Sequence, residues 1–289
     1  TTRHAVAEQE SQEALAIRRQ LADKNPDAYL PYVATTLNNL ALLHSDTNRH
    51  ADAEQEYQEA LTVYRKLADK NPDAYLPYVA TTLNNLAILH RVTNRHADAE
   101  QEYQEALTTY RKLADKNPDA YLPDVAMTLN NLANLHSDTN RHADAEQEYQ
   151  EALAIRRQLA DKNPDAYLPD VAMTLNNLAV LHRVTNRHAD AEQEYQKALA
   201  IRRQLADKNP DAYLPNVATT LFNIARMYLD QGNYKAVEES AQESLEIFQI
   251  MASKSPEAFG PDVEKGKGFI SYIKEQKKQQ GQEHPSKPA

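Results

Sequence analysis

Residues 25–70 read NPDAYLPYVATTLNNLALLHSDTNRHADAEQEYQEALTVYRKLADK, and residues 71–116 read NPDAYLPYVATTLNNLAILHRVTNRHADAEQEYQEALTTYRKLADK. The two stretches differ only at Leu42/Ile88, Ser45/Arg91, Asp46/Val92 and Val63/Thr109. The string NPDAYLP starts at Asn25, Asn71, Asn117, Asn163 and Asn209, an interval of 46 residues each time. A fixed period of this length marks one repeat architecture rather than several unrelated domains. Five copies cover 25–70, 71–116, 117–162, 163–208 and 209–254.

Nowhere within a copy does the apolar spacing fall to a period of two, so strands are not expected and each unit reads as two helices. Pro31 suits the first turn of helix A, where its missing N–H costs nothing. Val33, Leu37, Leu40, Ala41 and His44 follow at helical spacing, and the helix is expected to end near Asp46. Thr47, Asn48 and Arg49 make a short turn before helix B, whose face is marked by Ala53, Tyr57, Ala60, Leu61, Tyr64 and Leu67. The next Asn-Pro, at Asn71 and Pro72, stops it. At 1.5 Å per residue these helices would span about 24 Å and about 30 Å. Neither buries its apolar stripe alone, whereas stacked antiparallel pairs with Ala41, Ala53 and Ala60 at close contacts bury a continuous core.

The segments LNNLALL and AEQEYQEAL resemble the tetratricopeptide repeat pattern, with Leu37, Leu40, Ala41, Ala53, Tyr57 and Ala60 at its signature spacing. His44 and His50 stand where that pattern has aromatic residues, and Asn48 replaces its loop glycine. Residues 33–43, VATTLNNLALL, are most similar to the repeats of kinesin light chains, although this unit is longer by four residues, through YLPY. The resemblance, which runs from residue 3 to about residue 275, implies an all-α, right-handed α-solenoid of antiparallel helix pairs. It also implies that the A helices line a concave, Asn-bearing groove that holds peptides.

Thr1–Arg3 align with Thr47–Arg49, so residues 1–24 read as helix B of a truncated leading repeat and the whole sequence as a fragment of a longer array. Residues 255–278 read as a degenerate half repeat, a capping helix with Phe269, Ile270 and Ile273 on one face and Lys265, Lys267 and Lys274 toward solvent. The polar, proline-bearing run 279–289 is expected to be disordered.

Composition narrows the function classes. The 32 basic and 42 acidic residues leave a charge of −10, which argues against nucleic acid or an anionic membrane as partner. Cysteine is absent and the first glycine is Gly232, so thiolate chemistry, sulfur-held zinc, phosphate loops and nucleophile elbows have no basis in the first 231 residues. No apolar run reaches the roughly 18 residues of a membrane span. A cytoplasmic location is the default, and no enzyme, cofactor or metal site is expected.

The copies differ along helix A at Tyr32, Thr35, Leu42, Ser45 and Asp46 and their equivalents, on an arc opposite the core stripe. That arc is the expected peptide groove. Bordering it are the pairs Asn38 and Asn39, Asn84 and Asn85, Asn130 and Asn131, and Asn176 and Asn177, whose amides can pair with an extended peptide backbone. Both asparagines of each pair are expected on the groove, the alternative, stronger for the second, being that it satisfies backbone groups of the neighbouring repeat. Phe222 replaces the first Asn in the fifth copy and is expected to offer an apolar anchor. Leu42, Ile88, Asn134, Val180 and Arg226 share one equivalent groove position, and Arg91 and Arg183 are expected to meet acidic groups of the ligand.

The pairs His44/His50, His90/His96, His136/His142 and His182/His188 lack a metal-ligand spacing and are expected to pack. Burial would then depress their pKa and make the fold acid-sensitive. The leading expectation is a non-catalytic scaffold that binds a peptide or protein segment. A spacer or sensor arm of a larger signalling protein is the alternative, as is end-to-end self-association through Ala7, Ala14, Leu15 and Leu21.

Overall fold

A computed structural model describes residues 2–283, with side chains over 4–279. The described residues form helices α1 (Thr2–Lys24), α2 (Pro26–Asp46), α3 (His50–Lys70), α4 (Pro72–Val92), α5 (His96–Lys116), α6 (Pro118–Asp138), α7 (His142–Lys162), α8 (Pro164–Val184), α9 (His188–Lys208), α10 (Pro210–Asp230), α11 (Tyr234–Lys254) and α12 (Pro256–Glu283), with no strand among them. Two compact units are distinguished, one up to Ile155 and one from Arg156, so that α7 is divided. In the first, α1 to α5 each pack on the next helix in sequence; in the second, α8 to α11 do the same. This consecutive packing of helix pairs is that of the expected α-solenoid.

Helix A starts five residues earlier than the sequence suggests, at Pro26 rather than Pro31, and runs for 21 residues. Pro26 takes the first-turn role, and Pro31 lies inside the helix. An interior proline removes one backbone bond, but Tyr29 and Leu30 pack against the core from the added turn and offset that loss. A single residue then links helix B to the next helix A. The Asn71 N–H bonds the Leu67 carbonyl at 2.9 Å to close α3, while its Oδ1 accepts the Ala74 N–H at 3.3 Å to cap α4.

The A–B turn explains how asparagine replaces glycine. Asn48, Asn94, Asn140 and Asn186 have φ between 59° and 61°, and Gly232 holds φ 70° at the equivalent place. Asparagine is among the few side chains that tolerate the left-handed region. The Arg49 N–H bonds the His44 carbonyl at 2.8 Å, so the left-handed residue closes the helix in a Schellman-type turn.

Ala34, Ala41, Ala53 and Ala60 are fully buried, as close helix contacts require, with Leu37, Leu40, Tyr57 and Tyr64 filling the space around them. In α1, Leu15 is buried, Ala14 and Leu21 are half-buried and Ala7 is exposed, so only part of the face expected to self-associate is open. Val263 and Ile273 of α12 are buried, and Phe269 and Ile270 pack against α10 and α11. That helix continues through Glu283, five residues past the expected boundary at 278, and the remainder of the expected tail, 284–289, lies outside the described residues.

Candidate functional site

On α2, Tyr32, Thr35, Asn39, Leu42 and Asp46 are all exposed. At about 100° per residue they occupy roughly 80° of the helix surface, facing away from Val33, Leu37, Leu40 and His44. The same stripe recurs as Tyr78, Thr81, Asn85, Ile88 and Val92 on α4, and as Asp170, Met173, Asn177, Val180 and Val184 on α8. Four of its five positions, all but the constant asparagine, are positions at which the copies differ. Among the first four copies the variation on helix A falls on this stripe and at the adjacent Ser45/Arg91 position. Exposed apolar groups are frequent along it, with Tyr32 at 55%, Leu42 at 50% and Tyr78 at 49% exposure.

Of each asparagine pair only the first departs from the expectation: it leaves the groove, while the second, as Asn131 and Asn223, bonds the neighbouring repeat. The first of each pair turns inward, with Asn84, Asn130 and Asn176 only 2%, 4% and 8% exposed and Asn38 half-buried. Asn131 Nδ2 donates to Asn84 Oδ1 at 3.2 Å, Asn223 Nδ2 donates to Asn176 Oδ1 at 3.3 Å, and the Thr82 hydroxyl donates to Asn38 Oδ1 at 3.3 Å. These bonds join one helix A to the next. A helical wheel places the first asparagine on the flank of its own helix but cannot show that the A helix of the neighbouring repeat closes over that flank. The second asparagine stands on the stripe: Asn39 is exposed, and Asn85, Asn131 and Asn177 are half-buried.

Arg91 and Arg183 are likewise engaged. Arg91 Nη1 lies 2.6 Å from Asp138 Oδ2, and Arg183 Nη1 lies 2.7 Å from Asp230 Oδ2. The charges expected to greet an acidic ligand instead tie helix A to helix A across a repeat boundary. Asn134 accepts from the Tyr149 hydroxyl at 2.5 Å, and Arg226 is exposed. Phe222 is half-buried, its ring centroid 5.0 Å from that of Phe269 and 4.9 Å from the Lys265 ammonium, so its stacking partners belong to α12.

The histidines form a second arrangement, on the helix B side. His90 Nδ1 is 2.8 Å from Glu102 Oε2 in its own repeat, and its Nε2 is 3.3 Å from Glu54 Oε1 in the preceding one. His136 repeats this with Glu148 at 2.8 Å and Glu100 at 3.2 Å. Burial opposes the charge on both rings, but the hydrogen bond and charge of Glu102 and of Glu148, aided by Glu54 and Glu100, outweigh it and raise both pKa values. This reverses the expected direction, because the sequence shows burial but not the carboxylates that meet the ring. Clefts of about 330, 250 and 250 Å³ open beside His44, His136 and His90. Their lining arginines are balanced internally: Arg19 with Glu59, Arg65 with Glu105 and Arg111 with Glu151 all pair at 2.6 Å. Among the described residues no group of three or more His, Asp or Glu side chains is placed to hold a metal ion.

Comparison with known proteins bears on what such a surface does. The tetratricopeptide repeat model matches residues 32–112, 78–158, 124–204 and 170–250, each window one repeat further on. The chain belongs to the tetratricopeptide repeat family. Members of this family generally mediate protein–protein interaction and are typically non-catalytic. This tetratricopeptide repeat protein is similar to BtubC (BKLC) from P. vanneervenii, with 25% identity and a TM-score of 0.68 over 86% of its own length and 92% of that one's. It is also similar to a putative kinesin light chain of Podosopora anserina with nearly identical TPR-like repeats, at 14% identity and a TM-score of 0.59, covering 78% and 97% of the two. Aspartyl phosphate phosphatase F from Bacillus subtilis matches at 15% identity and a TM-score of 0.64, over 89% and 64%. The last two likenesses concern the fold alone. No curated protein matches the sequence. Among the described residues no helix is long and apolar enough to cross a membrane.

Proposed function

We propose that this tetratricopeptide repeat protein binds a peptide or a segment of another protein, in extended form, along the stripe its A helices present, and that it catalyses no reaction. One observation carries the reading: helix A varies at Tyr32, Thr35, Leu42 and Asp46 and their equivalents, and these side chains flank a constant asparagine that is exposed as Asn39 and half-buried as Asn85. Constant amides suit a peptide backbone, and varied neighbours suit its side chains. Membership of a family that generally mediates protein–protein interaction supports a protein partner.

The test is a displayed-peptide selection on the parent, counter-screened on the double variant Leu42→Asp, Ile88→Asp. Both residues are exposed, so the variant is expected to keep its helix content. Peptides enriched on the parent and lost on the folded variant are the expected outcome. No enrichment, or equal enrichment on both, would refute the groove reading.

A further inference from the structure

Helix B carries at one position Arg18, Tyr64, Tyr110, Arg156 and Arg202 in successive copies. Tyr64 and Tyr110 are buried there, and their hydroxyls lie 2.9 Å from Thr35 Oγ1 and 2.7 Å from Thr81 Oγ1. Ahead of the arginines Arg156 and Arg202, the A helices carry Met127 and Met173 in place of that threonine. The fold therefore accepts a neutral aromatic side chain at this position and does not itself require a buried cation.

The three arginines are not equivalent. The Arg18 guanidinium lies 5.7 Å from the centroid of the Tyr32 ring. Arg156 is 3% exposed, and the Asp170 carboxylate offsets part of the burial that lowers its pKa. Arg202, 8% exposed, has Asn216 at the place held by Tyr32 and Asp170, so it has neither an aromatic face nor an acid there. Burial pushes it down to about 10. Its Nη1 donates to the Asn216 carbonyl at 3.0 Å and to Thr220 Oγ1, which leaves Nε–H and Nη2 without a protein acceptor among the described residues. Arg202 lines a cleft of about 240 Å³ between α8 and α10, where Met173, Leu205 and Tyr213 supply apolar walls. Asp170 lies on the rim of this cleft, with Arg156 as its own counter-charge.

We propose that the cleft between α8 and α10, with Arg202 of α9 at its base, is a binding subsite for a carboxylate carried on a short apolar stem. A guanidinium presents parallel donors that match two carboxylate oxygens, and partial burial strengthens the pairing relative to water. The subsite lies on the A-helix stripe of the second unit and rests on the groove reading, to which it adds the chemistry of one ligand group. The acidic side group of a glutamate and the free carboxyl terminus of a polypeptide share that chemistry.

The experiment follows the Arg202 Nε–H signal in protein labelled with 15N-arginine, identified by its absence from the double variant Met173→Thr, Arg202→Tyr. That variant copies the Thr35/Tyr64 pair already present in the protein, so it is expected to fold. The probes are N-acetylglutamate amide for an acidic side group, N-acetylleucine for a free carboxyl terminus, and N-acetylglutamine amide as the neutral isostere. A saturable shift of the Arg202 signal with either carboxylate, at least about tenfold tighter than with the neutral amide and weakened by salt, is expected. The carboxylate that binds more tightly identifies the source. An unmoved signal, or equal movement with the neutral amide, would overturn the subsite. Selected groove peptides that bind the double variant as tightly as the parent would also overturn it and leave the groove reading standing. A saturating Arg202 shift with no peptide enriched would support the subsite and refute the groove.

Discussion

Asn84 and Asn85 are adjacent and chemically identical, yet the structure assigns them opposite consequences when each is changed to alanine. Asn84 is 2% exposed and accepts the Asn131 amide at 3.2 Å across the repeat boundary. Its loss removes one hydrogen bond, with a net value of about 1 kcal/mol. A small void at the α4–α6 contact adds to this, while Asn131 is half-buried and its amide recovers a water partner. The total for Asn84→Ala is about 1–2 kcal/mol. Asn85 is half-buried on the exposed stripe, and Asn85→Ala should stay within about 0.5 kcal/mol of the parent. Affinity should respond the other way. A peptide from the groove selection is expected to bind Asn85→Ala about fivefold more weakly, the worth of one net hydrogen bond, and Asn84→Ala almost normally.

Urea denaturation compared at constant slope reads stability, with hydrogen exchange in α4 and α6 as a local check because a repeat array need not unfold in one step. Isothermal calorimetry reads affinity. If Asn85→Ala destabilised the protein more than Asn84→Ala, or if Asn84→Ala alone weakened the peptide, the inward and outward assignments would both be wrong.

The A–B turn gives a stability test that depends on the backbone alone: with φ 61° at Asn94, Asn94→Ala should cost about 1 kcal/mol while Asn94→Gly should be neutral or stabilising, read from paired urea midpoints. The raised pKa values of His90 and His136 mean that their contribution to stability is fully present below the unfolded value of 6.5 and is lost as pH rises through the folded one. Unfolding free energy should therefore be greater at pH 6 than at pH 8, and His90→Gln with His136→Gln should flatten that difference; a parent already flat over this range would sink the assignment. At the acid end, the Glu54 and Glu100 pKa values are lowered because bonds to Arg95 and His90, and to Arg141 and His136, outweigh burial; stability should fall as pH drops below the ordinary carboxylate range. Arg91→Ser with Arg183→Ser should leave peptide affinity within about twofold, since both arginines already pair with aspartates, and a larger loss in a binding titration would return them to the ligand.

What could be read from the sequence was whatever depends on one helix and its nearest turn. The 46-residue period and the inward face of helix A are local, and residue types and spacing suffice for them. Pro31 misled because a proline at a helix start is a strong local signal, whereas the gain from packing Tyr29 and Leu30 is tertiary. Asn38, Arg91 and the histidines share another kind of error. Asn38 and Arg91 have their partners about one repeat away, at Thr82 and Asp138, while His90 meets Glu102 on helix B of its own repeat and Glu54 in the preceding one, all beyond what a single wheel can show. A signal for part of this was present, since Arg91 and Asp138 alternate with Arg183 and Asp230 along the sequence.

Those distant partners also show how near-identical copies can carry different surfaces without losing stability. The threonine and tyrosine at Thr81 and Tyr110 share a hydroxyl contact, so changing Thr81 to methionine alone would strand a buried phenol. Changing both, as at Met173 and Arg202, removes the stranded group and places a cation under the groove. Arg91 is bound by the same logic, because Asp138 receives it one repeat later. Leu42 and Ile88 have no such obligation, being exposed and unbonded, although Asn134 at the same position accepts the Tyr149 hydroxyl. The surface thus has two classes of variable position, those coupled in pairs and those free to change singly. In the proposed groove, discrimination built on the first class would alter the floor, as at Arg202, and that built on the second would alter only the walls.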